Sequence, residues 1–338
     1  MWAFPATAST AQEVYMNYKS TKHYIADDAT QSSAVSSYES FKQALLTNVG
    51  TLFSADTHIS IDSFSHNNQL SLDGLTILEP GSNISPTIYL KPYFEQYEKG
   101  MPLLPICRQI AEVYHDHRFT QNIDISFFTC LEKVRPRIVY KLIHYDKNRE
   151  LLEEIPHFTY LDLAIVFYCL VPSDAHENAS ILIHNSHLDY WDISKDTLLL
   201  FAQQNTPQLL PWHCDSLTEL LLPMLDSLPK ETQEQPLEAM QRESVPMHVL
   251  TNDRCYFGAC CILYPDVLKE ISDNLEDDLF LLPSSIHEVI LVPASSAREP
   301  STLRETVREV NLTEVAQDEV LSDSIYYYER RTNRVSLL

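Results

Sequence analysis

The stretch FLLPSSIHEVILVP, residues 280–293, contains two apolar runs separated by a proline and two serines. In extended backbone, residues 286–293 alternate between two faces, and both faces are mostly apolar. A strand that is apolar on both faces is typical of a sheet covered on two sides. Pro283 and the two serines after it interrupt the extended run and favour a bend. The stretch therefore predicts a buried β-hairpin and, with it, an antiparallel sheet.

The bend of this hairpin also holds the candidate catalytic residues Ser285, His287 and Glu288. Ser285 and His287 fall on one face of an extended strand, with backbones about 7 Å apart at this spacing. Nothing nearby in the sequence supplies an oxyanion hole or an acid that would orient the histidine. We therefore interpret the cluster as a structural bend, and a Ser/His nucleophile pair is the alternative.

The rest of the chain alternates between paired strands and helices, which predicts an α+β fold with mainly antiparallel sheets. The first 35 residues are rich in Ser, Thr and Ala without hydrophobic periodicity, which is typical of a disordered extension. TIYLKPYFEQYEKG and SILIHNSHLDYWDI suggest a weak internal repeat. The predicted boundaries are 1–35 for the extension, 36–125 and 126–226 for two units, 227–246 for a polar linker, and 247–338 for a third unit.

Two local patterns make more detailed predictions. The capping box from Ser36 to Glu39 predicts that the first helix begins at Ser36. The apolar run CYFGACCIL, residues 255–263, predicts a strand with Cys260 and Cys261 on opposite faces.

Five segments carry a family resemblance: PTIYLKPYFEQYEKG, IVYKLIHYDKNRELLEEIPHFTYLDLAIVFY, GACCILYPDVLKE, LPSSIHEVILVP and EVLSDSIYYYERRT. Together they resemble the domain-of-unknown-function family 5688, a bacterial group. The resemblance spans most of residues 36–332. It implies an uncharacterised protein and carries over no activity, cofactor or catalytic residue.

The charge of the chain limits its partners. Forty-seven acidic residues against 24 basic ones give a formal net charge of −23, which repels nucleic acid and anionic membranes. The longest apolar run, residues 161–172, is too short to cross a bilayer. We therefore expect no nucleic acid and no membrane partner, but another protein with a basic patch. A DNA-mimicking inhibitor is a sharper alternative.

One window, EKVRPRIVYKLIHYDKNR at residues 132–149, is basic and contains Lys141 among its six cations. These cations could form a local anion-binding patch. We interpret them instead as the solvated edges of a strand and the turn after it.

Glycine and cysteine usage exclude several chemistries. The five glycines are scattered, whereas phosphate-binding loops need clustered glycines, so no nucleotide or other cofactor is predicted. The seven cysteines contain no CxxC pair, which indicates reduced thiols and a cytoplasmic protein.

A metal site is an alternative that the spacing only weakly supports. HNSHLDYWD contributes His184, His187 and Asp189, and WHCD contributes His213. Sequence spacing does not bring these side chains together, and the chain contains no HExxH motif. We therefore predict no metal.

The function predicted from these patterns is that of an uncharacterised, non-enzymatic interaction or regulatory protein with an acidic surface. The alternative is a hydrolase or metal-dependent enzyme that uses His184, His187 and His213, or Ser285 and His287. The sequence leaves the oligomeric state open.

Overall fold

The structure is a computed structural model that describes residues 31–65, 67–83, 85–118, 125–171, 180–220, 245–297 and 300–338. The elements of these segments form three antiparallel sheets with helices, which confirms the predicted α+β class. Among the described helices, none is both long and apolar enough to cross a bilayer. Residues 1–30 and most of the predicted linker lie outside the described segments.

The N-terminal unit packs helices on a three-stranded sheet. Its strands are β1 (His58–Ser65), β2 (Ser71–Leu78) and β3 (Thr87–Tyr89), with β2 in the centre. Its helices are α1 (Gln31–Gly50), α2 (Lys91–Glu98) and α3 (Leu103–His117). Phe41, Leu45 and Val49 recur every four residues along α1 and are buried, so one face of this helix covers the core of the unit.

The first helix begins at Gln31, five residues before the predicted start at Ser36. Residues 31–35 are therefore helical, which corrects their assignment to a disordered extension. A helix that is anchored by packing extends at little cost, because each further residue adds a backbone hydrogen bond even without an apolar pattern.

The middle of the chain forms a second sheet around a central strand. The strands are β4 (Ile138–His144), β5 (His157–Tyr160), β6 (Leu163–Leu170) and β7 (Ser180–Leu182). β6 pairs with β4 on one side and with β5 and then β7 on the other. The helices here are α4 (Leu131–Val134), α5 (Arg149–Glu154), α6 (Asn185–Trp191) and α7 (Lys195–Leu209).

The two segments of the suggested repeat fold with the same succession of elements. Each contains a 3-residue strand and a short helix and is followed by a 15-residue helix, namely β3, α2 and α3 in one case and β7, α6 and α7 in the other. In both cases the short strand pairs antiparallel with the strand before it.

The C-terminal sheet contains six antiparallel strands. They are β8 (Trp212–Ser216), β9 (His248–Asn252), β10 (Leu279–Leu282), β11 (Val289–Pro293), β12 (Tyr326–Glu329) and β13 (Arg334–Leu337), in the order β13-β12-β10-β11-β9-β8. Its helices are α8 (Val267–Leu275) and α9 (Pro300–Thr313). β10 and β11 pair with Leu281 opposite Leu291, so the predicted hairpin is confirmed.

The second and third sheets share one hydrophobic core. β8 precedes the predicted linker in sequence, yet it pairs with β9 after the linker. The core contains Tyr140 and Phe167 from one sheet and Leu250, Leu281 and Tyr326 from the other. The N-terminal unit has a core of its own.

Two local predictions in the C-terminal part were wrong. Residues 258–263 form a 3₁₀ helix (Gly258–Leu263) instead of a strand, because a short apolar run fits a buried helical turn as well as a strand. Strand β11 begins at Val289 and not at Ile286. The backbone N–H of Ile286 donates to the Glu319 carbonyl, which holds this part of the bend away from the β11 ladder.

Candidate functional site

Ser285, His287 and Glu288 lie in the bend between β10 and β11. Ser285 is buried, and its Oγ accepts a hydrogen bond from the backbone N–H of His287 at 3.0 Å. Glu288 is partly buried immediately before β11. Ser285 is thus bonded to the backbone of His287 and not to its imidazole, which is the arrangement of a structural serine.

His287 has an acidic partner that sequence reasoning missed. Its Nε2 lies 3.2 Å from Glu319 Oε1, and its Nδ1 accepts the backbone N–H of Phe257 at 3.2 Å. The neutral ring therefore carries its proton on Nε2, toward the carboxylate. The expectation that no acid orients His287 was wrong, because a bridge between Ser285 and Val320 brings Glu319 beside it. With both ring nitrogens engaged, His287 is not poised to deprotonate Ser285.

The candidate metal ligands make other contacts. His187 Nδ1 accepts the backbone N–H of His184 at 2.9 Å, and the His187 ring stacks on Trp191. Burial and the neighbouring His184 lower the pKa of His187. Asp189 is exposed on α6. His213 lies on β8 with its two ring nitrogens 3.5 Å from Asp215 and Asp253 carboxylates.

These candidates do not assemble into a chelating group. Within the described segments, no three His, Cys, Asp or Glu side chains are placed to hold a metal ion. The seven cysteines are all free thiols, and burial raises the pKa of Cys169 to about 12. The Cys169 thiol is therefore protonated at neutral pH and is a poor ligand and nucleophile.

The unexpected feature of the fold is the position of Lys141 in the middle of β4. The side chain was expected at a solvated edge, but Lys141 is only 7% exposed, so that interpretation was wrong. Residues 138–143 are all buried, because one face of β4 packs in the shared core and the other face is covered as well. The Nζ atom lies 3.9 Å from the centre of the Phe257 ring and 4.3 Å from that of Tyr168.

The amine of Lys141 is buried among aromatic rings without a conventional partner. Across the part of the chain that the structure describes, no hydrogen bond or carboxylate ion pair reaches its Nζ. Burial lowers the pKa of Lys141 to about 7, against the attraction of Asp318, which acts to raise it. At neutral pH a large fraction of the side chain is therefore the uncharged amine.

The ring over Lys141 belongs to a turn with unusual backbone geometry. Phe257 has φ of 57° and Cys255 has φ of 49°, values that are uncommon for residues with a side chain. The Phe257 ring also stacks on the His287 imidazole, with centroids 5.8 Å apart. His287 thus holds Phe257 in two ways: it accepts the backbone N–H of Phe257, and its imidazole stacks on the Phe257 ring. Together, Phe257 and His287 close the aromatic enclosure of Lys141.

A second concave feature lies near the start of β10, in the C-terminal unit. It has a volume of about 440 Å³ and is lined by Asp273, Glu276, Asp277, Asp278, Arg330 and Arg331. We call it the acidic groove.

Most of the carboxylates of the acidic groove have partners. Asp273 pairs with Lys269 and Arg330, each at 2.7 Å, and these hydrogen bonds lower its pKa. Asp278 accepts from the Tyr327 hydroxyl and the Arg330 backbone. Glu276 is exposed, and its carboxylate has no such bond to any residue that the structure describes. It is the carboxylate that is free to meet a partner.

Fold and site together define an α+β protein with antiparallel sheets, a buried lysine and an acidic groove. The sequence matches a family of unknown function (DUF5688) over residues 38–330. The match covers most of the chain, so the protein belongs to this family, and the resemblance noted in the sequence is confirmed. No curated protein and no solved structure matches it.

Proposed function

We propose that this protein is a non-enzymatic binding protein of the bacterial cytoplasm whose partner is a protein with a basic patch. The observation that carries the proposal is the acidic groove, which presents the exposed Glu276 carboxylate on a chain of net charge −23. The free cysteines support a reducing compartment.

Charge complementarity would act mainly on the rate at which the partner associates. An acidic surface steers a basic partner toward itself, and salt screens this attraction. The paired carboxylates Asp273, Asp277 and Asp278 keep the walls of the groove in place, because each accepts hydrogen bonds from neighbouring residues. Glu276 can change its contacts without loss of any of these bonds.

The experiment uses a fluorescent peptide of eight arginines and measures its binding by anisotropy. We expect binding at about 10 mM salt, where the Debye length is about 30 Å, and its loss near 1 M salt, where it is about 3 Å. Glu276→Gln should weaken binding about two- to fivefold, as expected for one exposed ion pair. Glu154→Gln, at the exposed end of α5, changes the net charge equally and is the matched control.

The proposal fails if the peptide does not bind at low salt. The assignment to the groove fails if Glu276→Gln and Glu154→Gln weaken binding to the same extent, since the interaction would then depend only on net charge.

A further inference from the structure

Lys141 combines a buried side chain, an aromatic and apolar lining, and an amine without a hydrogen bond to any residue of the described segments. Val139 and Ile143, its neighbours on the same face of β4, belong to apolar clusters of that face. Tyr168 and Phe257 contact the amine through their rings. A lysine in such surroundings differs from the exposed lysines of the chain, for example Lys269, which is ion-paired with Asp273 at 2.7 Å.

We propose that Lys141 is a nucleophilic amine that captures a small apolar carbonyl compound as an imine. The lone pair of Nζ attacks the carbonyl carbon and forms a C–N bond as the C–O π bond breaks, and a proton moves from the nitrogen to the oxygen to give a carbinolamine. The hydroxyl group then leaves together with the second proton of the nitrogen as water, which breaks the C–O bond and leaves the C=N bond of the imine. The step needs no oxidant or reductant, and water reverses it. This site is separate from the acidic groove and does not depend on it.

The chemical class of the ligand follows from the lining. The residues that touch Nζ are aromatic rings, which favour an aromatic or aliphatic aldehyde over a sugar or a carboxylated compound. The charged or titratable groups nearby are Asp318, whose carboxylate attracts the ammonium form, the His287–Glu319 pair behind Phe257, and Tyr168, whose pKa is raised by burial. Burial raises the pKa of Tyr256, on the same turn, to about 12, so its hydroxyl does not titrate near neutral pH.

Access to the amine requires Phe257 to move, because its ring centre is only 3.9 Å from Nζ. The positive φ values at Cys255 and Phe257 place this turn among the more strained parts of the backbone. The covering residue thus lies on a turn that stores backbone strain and is held by His287, and its ring must move before a carbonyl compound reaches the amine.

The experiment treats the whole protein with benzaldehyde and cyanoborohydride, which reduces the imine to a stable secondary amine. Peptide mass spectrometry then gives the rate of modification at every lysine. A lysine of pKa about 7 is roughly half neutral at pH 7, against about 1 in 2,500 for an unperturbed lysine. We expect Lys141 to react at least about tenfold faster than Lys269 at pH 7, even after its burial is taken into account.

The pH profile gives a second readout. The rate at Lys141 should rise between about pH 6 and 8 and then level off, whereas the rate at Lys269 should still rise at pH 9. Modification of the exposed lysines without Lys141, or a rate at Lys141 that climbs to pH 10 like that of Lys269, overturns the proposal.

Two variants test the role of the cover. Phe257→Leu should raise the rate at Lys141 severalfold, because the smaller side chain opens the enclosure, and circular dichroism checks that the variant folds. Tyr190→Ala removes an exposed aromatic ring on α6 and should leave the rate unchanged. A slower rate at Lys141 in folded Phe257→Leu would contradict a covering role.

Discussion

Asp162 and Lys141 are two ionisable residues of the same part of the fold, and the structure surrounds them in opposite ways. Asp162 lies between β5 and β6 and accepts hydrogen bonds from the hydroxyls of Ser322, at 2.7 Å, and Tyr326. Lys141 lies on the neighbouring strand β4 and faces the rings of Phe257 and Tyr168. The carboxylate of Asp162 has two hydrogen-bond donors, whereas the amine of Lys141 has no acceptor in the part of the chain that the structure describes.

The difference separates a structural polar group from a candidate functional one. The bonds of Asp162 tie the middle sheet to β12, so its charge contributes to the packing of the two units. A methionine at position 141 would fill similar space without the cost of removing an ammonium group from water. A buried ionisable residue that makes the fold less stable than an apolar residue would is therefore a candidate functional residue.

The largest effect that tests this comparison is expected at Asp162. Asp162→Ala leaves the hydroxyls of Ser322 and Tyr326 buried without their acceptor, and both residues are fully buried. Hydrogen bonds to a charged group are worth about 1.5–3 kcal/mol each, so we expect the free energy of unfolding to fall by about 4 kcal/mol. Urea denaturation measures this loss.

The control for Asp162 is Asp146→Ala, an exposed carboxylate whose described ion pair is with Arg149. We expect this variant to unfold close to the midpoint of the wild-type protein. Similar losses for the two variants would show that the bonds of Asp162 contribute no more than a surface ion pair.

Lys141→Met is expected to change stability in the opposite direction. The pKa of Lys141 is lowered to about 7 in the folded protein, against about 10.4 in an unfolded chain. Between these two values the unfolded chain binds more protons, so the stability of the wild-type protein rises with pH across this window. At pH 7 and below, burial of the ammonium group lowers the free energy of unfolding of the wild-type protein by about 4 kcal/mol. Lys141→Met removes this penalty, but it also removes the contacts of the amine with the two rings, which stabilise the fold by about 1 kcal/mol.

We therefore expect Lys141→Met to raise the free energy of unfolding by about 3 kcal/mol at pH 7, with the gain disappearing near pH 10. Urea denaturation of both proteins at the two pH values measures this difference, and other titrating groups cancel in the comparison. A variant that is less stable than the wild-type protein at pH 7 would mean that the amine is well accommodated.

Local patterns were sufficient to predict the α+β class and one central hairpin of this fold, but not all of its strands and helices. The hairpin of β10 and β11 was predictable because apolar alternation and Pro283 act over a few residues. The segment after Tyr256 was not, since an apolar run of this length fits a buried strand or a buried helical turn. The shared core depends on β8 pairing with β9 across more than 30 residues, which no local pattern records.

The site residues were harder to predict, because their surroundings come from distant segments. Glu319 reaches His287 through a bridge that joins residues 285 and 320. Phe257 covers Lys141 from more than 100 residues away in sequence. One signal was available: Lys141 interrupts the apolar run of IVYKLIHY, where a charged residue within a strand that is otherwise buried calls for an explanation.

The smallest of the three effects concerns Gly258, which positions the turn over Lys141. A Cβ atom at Gly258 would lie 2.5 Å from the carbonyl oxygen of His287 and 2.8 Å from the backbone nitrogen of Asn252. These are backbone atoms that cannot rotate away, so Gly258→Ala should lower the free energy of unfolding by about 2 kcal/mol. Urea denaturation provides the measurement.

Gly50→Ala is the matched control, because a Cβ atom at Gly50 at the end of α1 meets nothing within 4 Å. This substitution should be neutral or stabilising by about 0.5 kcal/mol, since it restricts the unfolded chain. If Gly258→Ala were equally harmless, the turn would have room to shift, and Phe257 would be a loose cover instead of a held one. Movement of the Phe257 ring away from Lys141 would then be easier, and the contrast with the firmly bonded Asp162 would widen.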